Sequence, residues 1–142
     1  MTIAPSSAAQ RPLPGLDGPE RPFWEGLRQR LVRVQRCDAE HYRFPASRYC
    51  PVCHSTRSSW ETVAPEGVVE SFCVFHKPYF PGLAVPYAVV QVRLGCGVRL
   101  FSNLAGVANE DIRIGMRVVA SFEDVSSEVT LLKFRPKEGG GA

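Results

Sequence analysis

Apolar residues first recur at helical spacing. Phe23, Trp24, Leu27 and Leu31 share one face between charged neighbours, which predicts a short amphipathic helix over about residues 22–31. Pro22 suits its first turn, where a missing N–H costs nothing. The period then changes to two. Val32 and Val34 point one way and Arg33 and Gln35 the other, so a strand should run from the helix to Cys37. Tyr42-Arg43-Phe44-Pro45 reads as the return path. From Trp60 the pattern is that of an all-β unit, with five candidate strands over about residues 67–76, 87–94, 98–104, 117–125 and 129–135. Gly95-Cys96-Gly97 is a compact hairpin turn between the second and third. Residues 107–112 predict a helical turn with Asn109 as its cap, ended by Gly115. Five strands with a short helix between the third and fourth is the order of an OB-fold barrel.

The expected organisation follows. Residues 1–20 carry Pro5, Pro12, Pro14, Gly15, Gly18 and Pro19 and should form a mobile arm. Residues 21–60 should hold the helix and a metal ribbon, 61–137 the barrel, and 138–142 a frayed tail. The fold class is mainly β. No apolar run approaches the roughly 20 residues a spanning helix needs, and no basic start precedes an apolar stretch, so neither a membrane span nor a signal peptide is expected.

Cysteine spacing changes the picture most. Cys37-Asp-Ala-Glu40-His41 is followed, after a basic and aromatic connector, by Cys50-Pro-Val-Cys53. The second group is a zinc knuckle, a turn that aims two thiolates at one point with backbone amides free to donate to the sulfurs. The first lacks its second cysteine, and Glu40 stands in that register. The expected ligands of one structural zinc are Cys37, Cys50 and Cys53. The fourth is open among Glu40, which has the register, His41, one residue further on, and His54, which directly follows a ligand. The competing reading is a ribbon without metal, held by packing. Five cysteines, an odd number, with C-x-x-C spacing fit a reduced, cytoplasmic compartment better than a disulfide framework.

The charge is uneven. Residues 28–57 hold seven arginines against Asp38 and Glu40, a balance of +5, whereas residues 58–142 balance at −1. A basic ribbon suits an anionic partner: nucleic acid, coenzyme A phosphates or an acidic protein surface. Arg33, Arg36, Arg43 and Arg48 are the candidate contacts. Tyr79 and Phe80 join them, on the long proline-stiffened connector at residues 75–86. Cys73 and His76, three apart on one strand, should face opposite sides, with Cys73 a core residue. Cys96 sits in the glycine turn with nothing to activate it. Glu110, Asp111, Glu123 and Asp124 read as cap and turn residues rather than paired catalytic carboxylates. No hydrolase elbow, phosphate loop or dinucleotide fingerprint is present.

Several short motifs occur in a telling order: Pro22-Phe23-Trp24-Glu25-Gly26-Leu27, Arg36-Cys37, Tyr49-Cys50-Pro51-Val52-Cys53, Trp60, Gly67-Val-Val, Pro86-Tyr87, Leu104, Ile114-Gly115-Met116 and Phe134-Arg135-Pro136. Together, over about residues 20–136, they resemble the acyl-CoA-associated family that joins an N-terminal helix and a rubredoxin-like zinc ribbon to an OB-fold. Three of that family's four metal cysteines carry over, at Cys37, Cys50 and Cys53, and the chain departs from it at Glu40. The resemblance implies a non-catalytic subunit of a thiolase-fold enzyme, most directly an aldolase cleaving a β-hydroxyacyl-CoA in steroid-like side-chain degradation. It also implies a two-plus-two heterotetramer with that partner, acyl-CoA bound through the complex, and a MaoC-like hydratase as a further associate. The alternatives are a single-stranded nucleic-acid binder and a free-standing acyl-CoA-binding protein. A slightly acidic barrel without aromatic-basic interleaving argues against nucleic acid.

Overall fold

In a computed structural model, residues 12–137 are described, so residues 1–11 of the expected arm and the expected tail at 138–142 lie outside the described residues. Helix α1 spans Arg21–Arg28 and buries Phe23, Gly26 and Leu27, with Pro22 in the first turn. It ends three residues earlier than its apolar spacing suggests. The Leu31 amide donates to the Gly26 carbonyl at 2.9 Å and the Arg30 amide to Leu27 at 3.0 Å, with Arg30 left-handed at φ 63. This double closure is a Schellman stop, with arginine where glycine is usual.

Strands β1 (Val32–Cys37), β2 (Tyr42–Arg43) and β3 (Ser58–Val63) form an antiparallel sheet in the order β2-β1-β3. The sequence reading missed β3, because Ser58-Ser-Trp-Glu-Thr-Val63 is exposed or half-buried throughout and shows no apolar alternation. Strands β4 (Glu66–Phe75), β5 (Tyr87–Leu94), β6 (Arg99–Ser102), β7 (Arg117–Asp124) and β8 (Thr130–Pro136) are the five expected barrel strands, ordered β6-β5-β4-β7-β8. The sheet curls until its ends meet. Leu104 and Phe134 form a parallel bridge, with the Phe134 amide donating to Asn103 at 3.0 Å and the Ala105 amide donating to Phe134 at 2.7 Å. Gly67, the second residue of β4, sits where a Cβ would stand 2.5 Å from the Arg93 carbonyl oxygen, so only glycine fits between the neighbouring strands.

Two local expectations change. The turn at Asn109–Asp111 is a single 3-10 turn preceded by Ala108, and Asn109 does not cap it. Its side-chain amide donates to the Pro86 carbonyl at 3.2 Å, tying the turn to the start of β5. Cys73 is exposed rather than in the core. The register of β4 shifts between Val69 and Ser71, and β7 pairs only with residues Glu66, Gly67 and Val68, so the far half of β4 has one strand neighbour and open faces.

One apolar cluster runs through both sheets. Val32 and Val34 of β1 are fully buried beside Val69, Val90, Val92, Leu94, Val118 and Phe134 of the barrel. Arg30 adds a polar tie: its guanidinium grips both Asp124 oxygens at 2.9 and 3.0 Å. Arg30, with the Thr130 hydroxyl next, holds the Asp124 carboxyl at about 2, below its ordinary 3.8. No helix among the described residues is long and apolar enough to cross a membrane.

Two outcomes are expected. Phe134→Ala, which empties the barrel's closing position, costs about 3–5 kcal/mol of stability in denaturant titration. The depressed Asp124 pKa means that the pair's contribution is complete above the ordinary carboxylate value and is lost as pH falls through about 2. The Tm gap between the parent chain and Asp124→Asn should therefore be constant above about pH 5 and close on acidification. A gap that widens toward acid would contradict this sign.

Candidate metal centre

The two knuckles meet at the end of the small sheet. Strand β1 delivers Cys37 and the turn after it brings back His41, while the loop following β2 delivers Cys50 and Cys53. One donor atom from each of Cys37, His41, Cys50 and Cys53 lies within 4.8 Å of the others. Cys37 Sγ is 3.7 Å from Cys53 Sγ and 3.4 Å from His41 Nδ1, and Cys50 Sγ is 3.6 Å from the same nitrogen. Backbone amides of Ala39 and His41 donate to Cys37 Sγ at 3.3 and 3.4 Å, and Val52 to Cys50 Sγ at 3.4 Å. Cys37 and Cys50 are buried and Cys53 is exposed.

The sulfurs are electrostatically interdependent. The Cys53 amide, with the Val52 amide against the opposing effect of burial, pushes the Cys50 thiol down to about 6. Cys53 is pushed the other way: the Ser55 amide acts to lower it, but burial and the neighbouring Cys50 and Cys37 raise it. A cation between Cys50 and Cys53 would let both sulfurs bind as thiolates.

The donor set fits zinc. Two thiolates at tetrahedral positions with Zn–S of about 2.3 Å lie about 3.8 Å apart, and the Cys37–Cys53 separation is 3.7 Å. The Cys and His cluster is compatible with a structural zinc, which would close both knuckles and contribute folding energy.

The other candidates are dispersed. Glu40 has its carboxylate on Arg36 at 3.0 Å, away from the sulfurs, and His54 is exposed beyond the second knuckle. Arg36 is half-buried and also holds Glu61 of β3 at 3.1 Å. Arg43 is buried: its Nε donates to Gln35 Oε1 at 3.0 Å and its Nη2 to the Ser47 carbonyl at 2.9 Å, leaving Nη1 without a partner. Arg43 thus braces the ribbon and presents no charge outward. Arg33 is half-buried with its stem over Gly26, while Arg48 is exposed beside the Tyr49 ring.

On the barrel, Tyr79 is 65% exposed, set edge-on to Phe75, which stacks on Tyr87. Phe80 is half-buried and, with Leu83, Tyr87, Asn103 and Lys133, lines a groove of about 450 Å³. Phe101 and Ile114, 72% and 69% exposed, are further outward apolar residues; the sequence named Ile114 only within the Ile114-Gly115-Met116 motif and did not mark Phe101. Alternation along Arg99-Leu100-Phe101-Ser102, with Leu100 inward, was the available signal for Phe101.

Residues 24–59 match the ChsH2 rubredoxin-like zinc ribbon domain and residues 60–123 the ChsH2 C-terminal OB-fold domain. A chain of the Ltp2-ChsH2(DUF35) aldolase superposes with a TM-score of 0.79 at 37% identity, over 87% of this chain and 98% of that one. A probable enoyl-CoA hydratase alpha subunit of Thermomonospora curvata is 40% identical over 90% of this chain. The 3-oxo-4,17-pregnadiene-20-carboxyl-CoA hydratase alpha subunit of Mycobacterium tuberculosis is 32% identical over 72% of it. The chain spans only 40% and 33% of the length of these two curated relatives.

Cys50→Ser is expected to cut zinc, measured by plasma mass spectrometry, from about one ion per chain to a small fraction. Chelation of the parent chain should lower its Tm, because the metal would tie the end of β1 at Cys37 to the loop of Cys50 and Cys53 that leads into β3. Unchanged metal content in the Ser variant would remove Cys50 from the site.

Proposed function

The chain belongs to the ChsH2 (DUF35) family of zinc-ribbon and OB-fold proteins, and from that premise we propose that it is a non-catalytic subunit of a thiolase-type enzyme acting on acyl-CoA. The reaction proposed is retro-aldol cleavage of a β-hydroxyacyl-CoA during degradation of a steroid-like side chain. The observation carrying this reading is the likeness, at 37% identity, that extends over 98% of a chain of the Ltp2-ChsH2(DUF35) aldolase. The steroid-like substrate is supported by the pregnadiene-carboxyl-CoA relative at 32% identity.

In this reading the chain supplies surface and support, with residues 21–60 as the ribbon unit and 61–137 as the barrel unit. Exposed Arg48 and Tyr49 on the ribbon, and Tyr79 and Phe101 on the barrel, are the side chains free to meet a partner or bound acyl-CoA. Aromatic anchors of this kind carry a large share of interface energy. Arg43, buried in the ribbon, is not among them. Assembly is proposed as a two-plus-two heterotetramer in the cytoplasm.

A second associate is favoured by the names of the two hydratase alpha subunits, whose remaining length lies outside the likeness. A separate MaoC-like hydratase would supply the β-hydroxyacyl-CoA that the aldolase cleaves.

The test is co-expression with a thiolase-fold partner encoded beside it, then affinity capture at moderate salt. The expected result is a copurifying complex that cleaves β-hydroxyacyl-CoA, with neither component active alone. Tyr79→Ala combined with Phe101→Ala should weaken capture at least tenfold, the size of a lost hot spot, without changing the Tm of the isolated chain. Absence of copurification overturns the aldolase reading, and capture of a MaoC-like hydratase instead selects the second.

A further inference from the structure

The two knuckles are not copies of one turn. In the second, the Cys50 amide donates to the Ser55 carbonyl, five residues on, and the His54 amide donates back to Cys50, four residues on, with His54 left-handed at φ 65. In the first, the Cys37 amide donates to the His41 carbonyl, four residues on, and the Glu40 amide donates back to Cys37, three residues on, with Glu40 left-handed at φ 70. Every corresponding element of the first knuckle comes one residue early. The position that carries the ligand Cys53 in one turn is therefore the left-handed corner in the other.

A left-handed corner carries its side chain away from the enclosed point, and the Glu40 carboxylate lies on Arg36. The following residue returns along the strand. From there the imidazole turns back toward the enclosed point, with Nδ1 on the side of the sulfurs. A nitrogen at about 2.05 Å and a sulfur at about 2.3 Å from one tetrahedral ion lie about 3.6 Å apart. His41 Nδ1 stands 3.4 Å from Cys37 Sγ and 3.6 Å from Cys50 Sγ.

We infer that the first knuckle is a shortened Cys-x3-His turn, so that the metal is held by Cys37, Cys50, Cys53 and His41 Nδ1, with Glu40 outside the coordination. The change of ligand alters the chemistry of the site. Three thiolates and a neutral imidazole around a divalent ion leave a net charge of −1, where four thiolates would leave −2. The sulfurs share less negative charge and are weaker nucleophiles. Glu40, released from the metal, joins Arg36 and Glu61 in a charged link from the turn to β3.

The experiment replaces zinc with cobalt(II) in the full chain and reads its absorption, since sulfur-to-cobalt charge transfer grows with each thiolate bound. Glu40→Ala and Glu40→Gln should leave the spectrum and the metal stoichiometry unchanged. His41→Cys should convert a three-thiolate spectrum to a four-thiolate one, raising charge-transfer intensity by about one third. It should also speed alkylation of the metal-bound sulfurs. A cobalt spectrum that shifts in Glu40→Gln, or one that stays the same in His41→Cys, overturns the assignment. Both readouts are taken without a partner protein, so they stand apart from the fate of the aldolase reading.

Discussion

Val32 and Val34 are wholly buried in the cluster that fills the barrel, and three residues after Val34 the same strand ends in the Cys37 sulfur. Strand β1 thus works for two structures at once. Its register against β3 is set along its whole length, from Val32 opposite Val63 to Cys37 opposite Ser58. A slip by one residue would expel both valines from the core and move the sulfur out of the knuckle. Packing of the barrel and geometry of the metal centre are therefore not independent choices.

That coupling explains how a ribbon with few apolar residues stays ordered. Its own sheet has three strands, one of only two residues. Below that scale a sheet needs either a metal or a neighbour to bury its face. Here it has the barrel on one side, through Val32 and Val34 of β1, the helix beside it, through the aromatic contact of Phe23 with Phe44, and a cysteine and histidine cluster at its tip. Arg43 strengthens the inside of the turn: Gln35 Oε1 accepts from both its Nε and the Ser47 amide, which ties β1 to the loop that carries Cys50.

Much of this was legible in the residues. Alternation marked the barrel strands to within a few residues, because each has one face in a closed core and one outside. The C-x-x-C spacing marked the second knuckle, since two thiolates at that interval converge on one point. The first knuckle was legible only in part. Glu40 and His41 differ by one position, and which of them faces the sulfurs depends on where the backbone turns left-handed. Glycine would have advertised that corner, but a glutamate does not. The strand at Ser58–Val63 was hidden because its pairing with β1 owes little to apolar alternation. Cys73 was misplaced because a register shift at Glu70 and the early departure of β7 break the inside-outside rule along β4.

The helix stop at Arg30 has a different significance. A glycine there would adopt the left-handed turn without steric cost, and sequence optimisation by helix rules alone would choose it. The arginine accepts the strained backbone and uses the resulting direction of its side chain to reach Asp124, 94 residues away in the chain. Relieving the strain would leave the helix well formed and less firmly moored, free to pivot on Phe23 and Leu27 against the barrel. Local ideality and long-range attachment compete at this one residue, and the chain has settled for attachment.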